Sequence, residues 1–329
     1  MDEDSSPGRQ KDVGIMKKNV WKSILLCTWL TAMCLTGCGS AADDTDTDTN
    51  SVSAEEIDTT GEAESADEDD VTSDVAEIEI GTEAENVNAF EGRSLSILGD
   101  SISTYDGWIM EGAAIFYPFV GDLTDVSQTW WMRLLDDTGM ELCANDSSSG
   151  STCAGDSLDV GDFGYGCSSF RLSFLTGKQG KMPDIIIVYM GTNDFLKGIP
   201  IGDNDGTKLV EEGMVENFSD AYCLILDKLA SEYPATEIYC CTLPPIGDRG
   251  DNVEYADFVN KLGLTSRDYS EKIGTIAGSK GVSVIDLSDC GIDLSDLKEM
   301  TTDGVHFTPV GMEYIEKAML TGLVGTPNE

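Results

Sequence analysis

Between Glu91 and Val324 short apolar runs alternate with longer stretches whose apolar residues recur at steps of three and four. The runs predict strands over residues 94–98, 141–144, 184–190, 237–242 and 282–287. The third, unbroken from Ile185 to Tyr189, has the pattern of a strand covered on both faces. The amphipathic stretches predict helices over 128–137, 209–232, 254–277 and 309–320. In the second of these Phe218, Tyr222, Ile225, Leu226 and Leu229 share one helical face. The last opens on Thr308 and Pro309, a capping residue followed by proline in the first turn. Such a succession describes an α/β domain, a parallel sheet with helices on both faces, over about residues 91–325. In open sheets of this kind the working residues collect beyond the C-terminal ends of the strands.

Two segments stand outside that pattern. Residues 1–37 read as a signal peptide, because Lys17, Lys18 and Lys22 precede an apolar run over 24–30 that is shorter than the roughly 20 apolar residues of a membrane span. Met16 is an alternative start. The run ends in Leu35, Thr36, Gly37 and Cys38, which resembles the lipobox of bacterial lipoproteins. That resemblance implies cleavage before Cys38 and a diacylglycerol on its thiol; two acyl chains suffice for stable anchoring where one is marginal. Residues 38–90 form an acidic tether. Asp and Glu crowd the stretch from Ala41 to Asn88, which has no Lys or Arg, so it repels itself and buries little. A calcium-binding loop is the sharper rival for this stretch, but it lacks the glycine of an EF-hand turn.

Charge and cysteine content narrow the picture further. A formal net charge of -41 argues against nucleic acid and bare anionic lipid as partners, since either would need Lys and Arg to neutralise phosphate. Seven cysteines follow Cys38 in the folded region, with no C-x-x-C pair and no companion histidine to suggest zinc. Cys223, Cys240 and Cys290 fall in apolar patterns as buried thiols. In an exported protein a Cys153–Cys167 bridge is one arrangement open to the loop between them.

Chemistry-bearing residues stand at the predicted strand ends. The first strand runs into Gly99, Asp100, Ser101, Ile102 and Ser103, and the third into Gly191, Thr192, Asn193 and Asp194. The second leads into the turn-forming stretch from Asn145 to Ser151. Near the C-terminus come Asp303, Gly304, Val305 and His306, and His306 is the only histidine in the chain. Position 103 is not glycine, so this is not the G-x-S-x-G elbow of α/β-hydrolases.

These four stations, in this order, resemble blocks I, II, III and V of the SGNH (GDSL-type) hydrolases. The resemblance implies a three-layer α/β/α sandwich of flavodoxin-like type with a five-stranded parallel sheet. It also implies a nucleophile at Ser101, an acid and base at Asp303 and His306, and an oxyanion hole from the Ser101 and Gly150 N–H groups and the Asn193 amide. Gly155 is the other candidate for the second block. No metal or organic cofactor is implied.

The insertions over 107–127 and 152–168 hold Trp108, Phe116, Tyr117, Phe119, Phe163 and Tyr165, which either contact substrate or pack on the domain. Trp130 and Trp131 open a helix and read as core. Together these features predict a lipid-anchored serine esterase on the outer face of a bacterial membrane, acting on short acyl groups such as O-acetyl on a small molecule or polysaccharide. The alternatives are a lipase, thioesterase or lysophospholipase on the same fold, an O-acetyltransferase, or a non-catalytic glycan-binding lipoprotein.

Overall fold

The computed structural model describes Val87 and residues 89–247 and 257–325. The signal peptide, Met16, Cys38 and the acidic tether up to residue 86 lie outside the described residues. In chain order the elements are β1 (Ser94–Gly99), α1 (Trp130–Thr138), β2 (Glu141–Ser147), β3 (Gly155–Asp156), α2 (Ser169–Ser173), β4 (Ile185–Tyr189), α3 (Thr192–Lys197), β5 (Met214–Val215), α4 (Phe218–Glu232), β6 (Glu237–Cys241), α5 (Ser266–Lys280), β7 (Ser283–Ile285), α6 (Leu297–Met300) and α7 (Pro309–Gly325).

Five strands form one parallel sheet in the order β2-β1-β4-β6-β7, while β3 and β5 make a short antiparallel pair beside it. The alternation of side chains along a strand explains the two cores. Ile185, Ile187 and Tyr189 of β4 join α1 and α7 on one face through Trp130, Trp131, Leu134, Ile315 and Met319. Ile186 and Val188 join α4 and α5 on the other through Tyr222, Ile225, Tyr269 and Ile273. Burial on both faces is what the unbroken apolar run required. This is the α/β sandwich expected from the alternation of elements.

Helix boundaries differ from the periodicity where capping chemistry intervenes. The segment from 209 onward does not enter α4 directly, because Met214 and Val215 pair with Asp156 and Gly155. Helix α4 starts only where the Asn217 side chain accepts the Asp220 N–H. Helix α5 begins at Ser266 and not near 254, since Thr265 and Asp268 form a capping box there; residues 254–256 lie outside the described residues. Helix α1 starts two residues late because Asp125 and Gln128 close a 3₁₀ turn before it. At α7 the Thr308 hydroxyl accepts the Gly311 N–H, as its position before Pro309 predicted. The seven domain cysteines are free thiols, so the Cys153–Cys167 bridge is not formed. Burial pushes the Cys167 thiol up to about 12 and Cys153 well above its usual value.

Candidate active site

Strand β1 sits between β2 and β4, where connections leave the sheet in opposite directions, and its C-terminal end opens into the crevice typical of such a switch point. Gly99 ends the strand because nothing larger fits: a Cβ there would come within 2.5 Å of Ser147 Oγ and 2.9 Å of Ser103 Cβ. Asp100 then caps a single 3₁₀ turn, Ser101–Ser103, by accepting the Ile102 N–H at 3.1 Å. Ser101 is thereby the first residue of a tight turn at the sheet edge, and it is almost fully buried.

The loop before α7 brings the remaining groups. Asp303 Oδ1 accepts the backbone N–H groups of Val305 and His306, at 3.1 and 2.9 Å, which fixes the carboxylate above its own turn. His306 Nδ1 lies 2.9 Å from Asp303 Oδ2, and Nε2 lies 2.8 Å from Ser101 Oγ. An ionised carboxylate only accepts, so Nδ1 carries the proton and the Nε2 lone pair faces the hydroxyl. The chain thus brings together Ser101, His306 and Asp303, from positions more than 200 residues apart, in an unbroken hydrogen-bonded line.

Strand β4, which pairs with β1 up to Gly99 and Tyr189, leads into α3. Asn193, in its first turn, is buried with its Nδ2 donor unmatched by any acceptor. A buried, unsatisfied amide is costly unless a ligand completes it. Gly150 lies in the turn from Ser148 to Ser151, with φ of 79°, beside the end of β1 through the Ser148 N–H to Gly99 carbonyl bond at 3.2 Å. Gly155, the other candidate, is drawn away into the pair with Val215.

Several groups that sequence reasoning left aside hold this region in place. Lys197 Nζ donates to the Gly150 carbonyl at 2.6 Å. Asp194 accepts the Cys153 and Ala154 N–H groups at 2.7 and 3.0 Å; burial pushes its carboxyl up to about 7, and those two donors oppose the shift. Arg171 and Asp146 form a fully buried ion pair at 2.8 Å, and the guanidinium also donates to the carbonyls of Gly99, Asp146 and Phe163. The signal for it was one arginine among Phe170, Leu172, Phe174 and Leu175. Behind Ser101 burial pushes the Asp100 carboxyl up to about 6, with the Ile102 N–H and nearby His306 opposing the rise.

The aromatic insertions divide. Tyr117 and Phe163 pack into the domain, as do Trp130 and Trp131 of α1. Trp108 and Phe119 stay exposed, at 43% and 68%. Phe116 lies face to face with His306, ring centroids 3.6 Å apart and planes 11° from parallel.

Residues 93–252, which include Ser101, Gly150 and Asn193, match the family model of GDSL-like lipase/acylhydrolase. This match assigns residues 93–252 to the GDSL-like lipase/acylhydrolase family. A GDSL esterase/lipase of Arabidopsis thaliana is 28% identical over 145 residues, which are 44% of this chain and 45% of that protein, so the match spans less than half of each. Among solved structures, a protein of Bacteroides ovatus described as a GDSL-like lipase is 26% identical, with a TM-score of 0.51 over 72% of this chain and all of the other. A Bacteroides uniformis protein of the same description is 27% identical, with a TM-score of 0.51 over 71% of this chain and 97% of its own. GDSL-like enzymes of this kind are serine hydrolases of ester bonds, and the GDSL-like domain here carries the serine and histidine in hydrogen-bonding contact.

Proposed function

We propose that this protein hydrolyses short-chain acyl esters, O-acetyl groups on carbohydrate in the first instance, through an acyl-enzyme on Ser101. The observation that carries the reading is the line from Ser101 Oγ through the His306 ring to Asp303, with spacings of 2.8 and 2.9 Å. His306 Nε2 takes the hydroxyl proton as Oγ attacks the carbonyl carbon, and Asp303 stabilises the imidazolium that forms. The proton then passes to the leaving alcohol as the ester C–O bond breaks. Water repeats the sequence on the acyl-serine and frees the carboxylic acid. The Asn193 amide, with the Ser101 and Gly150 N–H groups, receives the negative charge of the tetrahedral intermediate.

Support for a carbohydrate leaving group comes from exposed Trp108 and Phe119 on the insertion that also reaches His306. Phe119 leaves its ring in water and Trp108, packed on Trp131, leaves part of its own; exposed aromatic faces suit the apolar faces of sugar rings. The anchor on Cys38 and the tether up to residue 90 would present the domain outside the cell, where polysaccharide is met.

A series of p-nitrophenyl esters from acetate to palmitate, run beside acetate release from acetylated glycans, tests the substrate. Acetate release and a maximum at the shortest esters are expected. A maximum at palmitate with no acetate released would move the protein to the lipase reading. Labelling by a fluorophosphonate, lost in Ser101→Ala, tests the nucleophile.

A further inference from the structure

We propose that Phe116 is a positioning residue for the reaction, holding the His306 ring in the plane in which Nε2 meets Ser101. The proposal rests on the reading of Ser101 and His306 as nucleophile and base, and it concerns a group that the sequence left undecided between substrate contact and packing.

The ring nitrogens of His306 bond to Asp303 and Ser101, and since imidazole N–H groups and lone pairs point along the ring plane, such bonds restrain tilting out of it only weakly. Phe116 supplies the missing restraint, since a parallel ring at 3.6 Å fills one whole face of the imidazole. It also keeps water from that face. During proton transfer the imidazole becomes a cation, and a cation over an aromatic face is attracted to it.

Phe116 is itself held from both sides of the line it supports. Its N–H donates to Thr104 Oγ1 at 3.0 Å, and that hydroxyl donates to the Ser101 carbonyl at 3.0 Å. The next residue, Tyr117, is fully buried, meets Phe116 edge-on at 4.9 Å, and donates its hydroxyl to the Phe307 carbonyl at 3.0 Å. One dipeptide is therefore tied to the nucleophile's backbone and to the residue after the base. Gly121 leaves room for the pair: a Cβ there would stand 2.9 Å from the Tyr117 ring and 3.1 Å from that of Phe116.

His306 is the only histidine, so its ring protons report on the stack without ambiguity in NMR spectra of untagged protein. The ring current of Phe116 shifts those protons upfield. Phe116→Leu should return them toward the free-imidazole position and lower kcat on p-nitrophenyl acetate roughly 10- to 100-fold, with KM changed less than about threefold. Phe116→Tyr, which keeps the stack, should keep the upfield shift and most of kcat. The proposal is overturned if Phe116→Leu, folded by circular dichroism, leaves kcat within about twofold of the parent or leaves the ring-proton shifts in place. It is overturned equally if Phe116→Leu and Phe116→Tyr lose the same activity. Should Ser101→Ala or His306→Ala keep full activity, the catalytic reading itself fails, whatever Phe116 does; an inactive Ser101→Ala beside an unaffected Phe116→Leu sinks only this proposal.

Discussion

Beyond the Asp303 carboxylate, the contacts that support His306 are aromatic and neutral: Phe116 against His306, Tyr117 against Phe116, and one phenol hydroxyl on the Phe307 carbonyl. Around Gly150 and Asn193 they are polar and directional: Arg171 with Asp146, Asp194 on the N–H groups of Cys153 and Ala154, and Lys197 on the Gly150 carbonyl. The difference follows from what each side does in the proposed reaction. The imidazole changes charge twice per turnover, and a neutral polarisable neighbour tolerates both states. The groups around Gly150 and Asn193 exchange no proton with substrate in that reaction, so directional polar contacts can fix them without penalising any step. Such fixing makes breakage expensive, because removing one partner strands the other in a low dielectric.

The strongest way to break the contrast is to remove the atom both sides serve. Ser101→Ala should lower kcat roughly 10⁵- to 10⁶-fold, with His306→Ala nearly as damaging and the double variant little worse. Additive losses in steady-state assays would mean that the two do not act as a unit. Next in size, Arg171→Met leaves Asp146 buried and unpaired and should cost about 3–5 kcal/mol in urea unfolding. A comparable loss of stability from Phe116→Leu would erase the distinction between the two sides. Asn193→Ala should cut kcat roughly 100- to 1000-fold while leaving the urea midpoint in place, since the Nδ2 donor has no partner in the protein to lose. A midpoint that falls with activity would make the amide a structural group.

The smallest effect is electrostatic and sits on α7, beside Asp137 of α1. Burial pushes the Glu316 carboxyl up to about 7, with the neighbouring Asp137 raising it further. The native state then holds a proton that the unfolded chain releases near its usual value of 4.5. Stability from this group is therefore present at low pH and lost as pH rises from about 4.5 through about 7. Asp194 and Asp100, raised to about 7 and about 6, act in the same direction. Glu316→Gln should flatten the fall in Tm between pH 5 and 8 without abolishing it, as read by thermal scans across that range. An unchanged profile would assign the slope to the other two carboxyls.

Strands were legible in the chain because β4 and its neighbours are apolar on both faces, a pattern that needs no tertiary information. Helix starts were less so. The apolar spacing before Phe218 continues through residues that pair as β5, and only the Asn217 cap marks the true beginning. At the site, Ser101 and Asn193 stood out after predicted strands and His306 as the lone histidine, while the roles given them and Asp303 came with the resemblance to the SGNH blocks. The supporting groups were not, because each works through a partner distant in sequence. Arg171 reaches Asp146, 25 residues away, and Phe116 meets His306, 190 residues on. The type of a side chain does not name the distant residue it will meet.

The acid and the base share one short turn near the C-terminus, while the serine closes the first strand. During synthesis, therefore, the chain displays its hydroxyl long before anything can draw the proton from it. A polypeptide made only as far as residue 302 holds all five strands of the sheet and no base for its serine. The four residues that follow complete the centre, since they carry the carboxylate and the imidazole together.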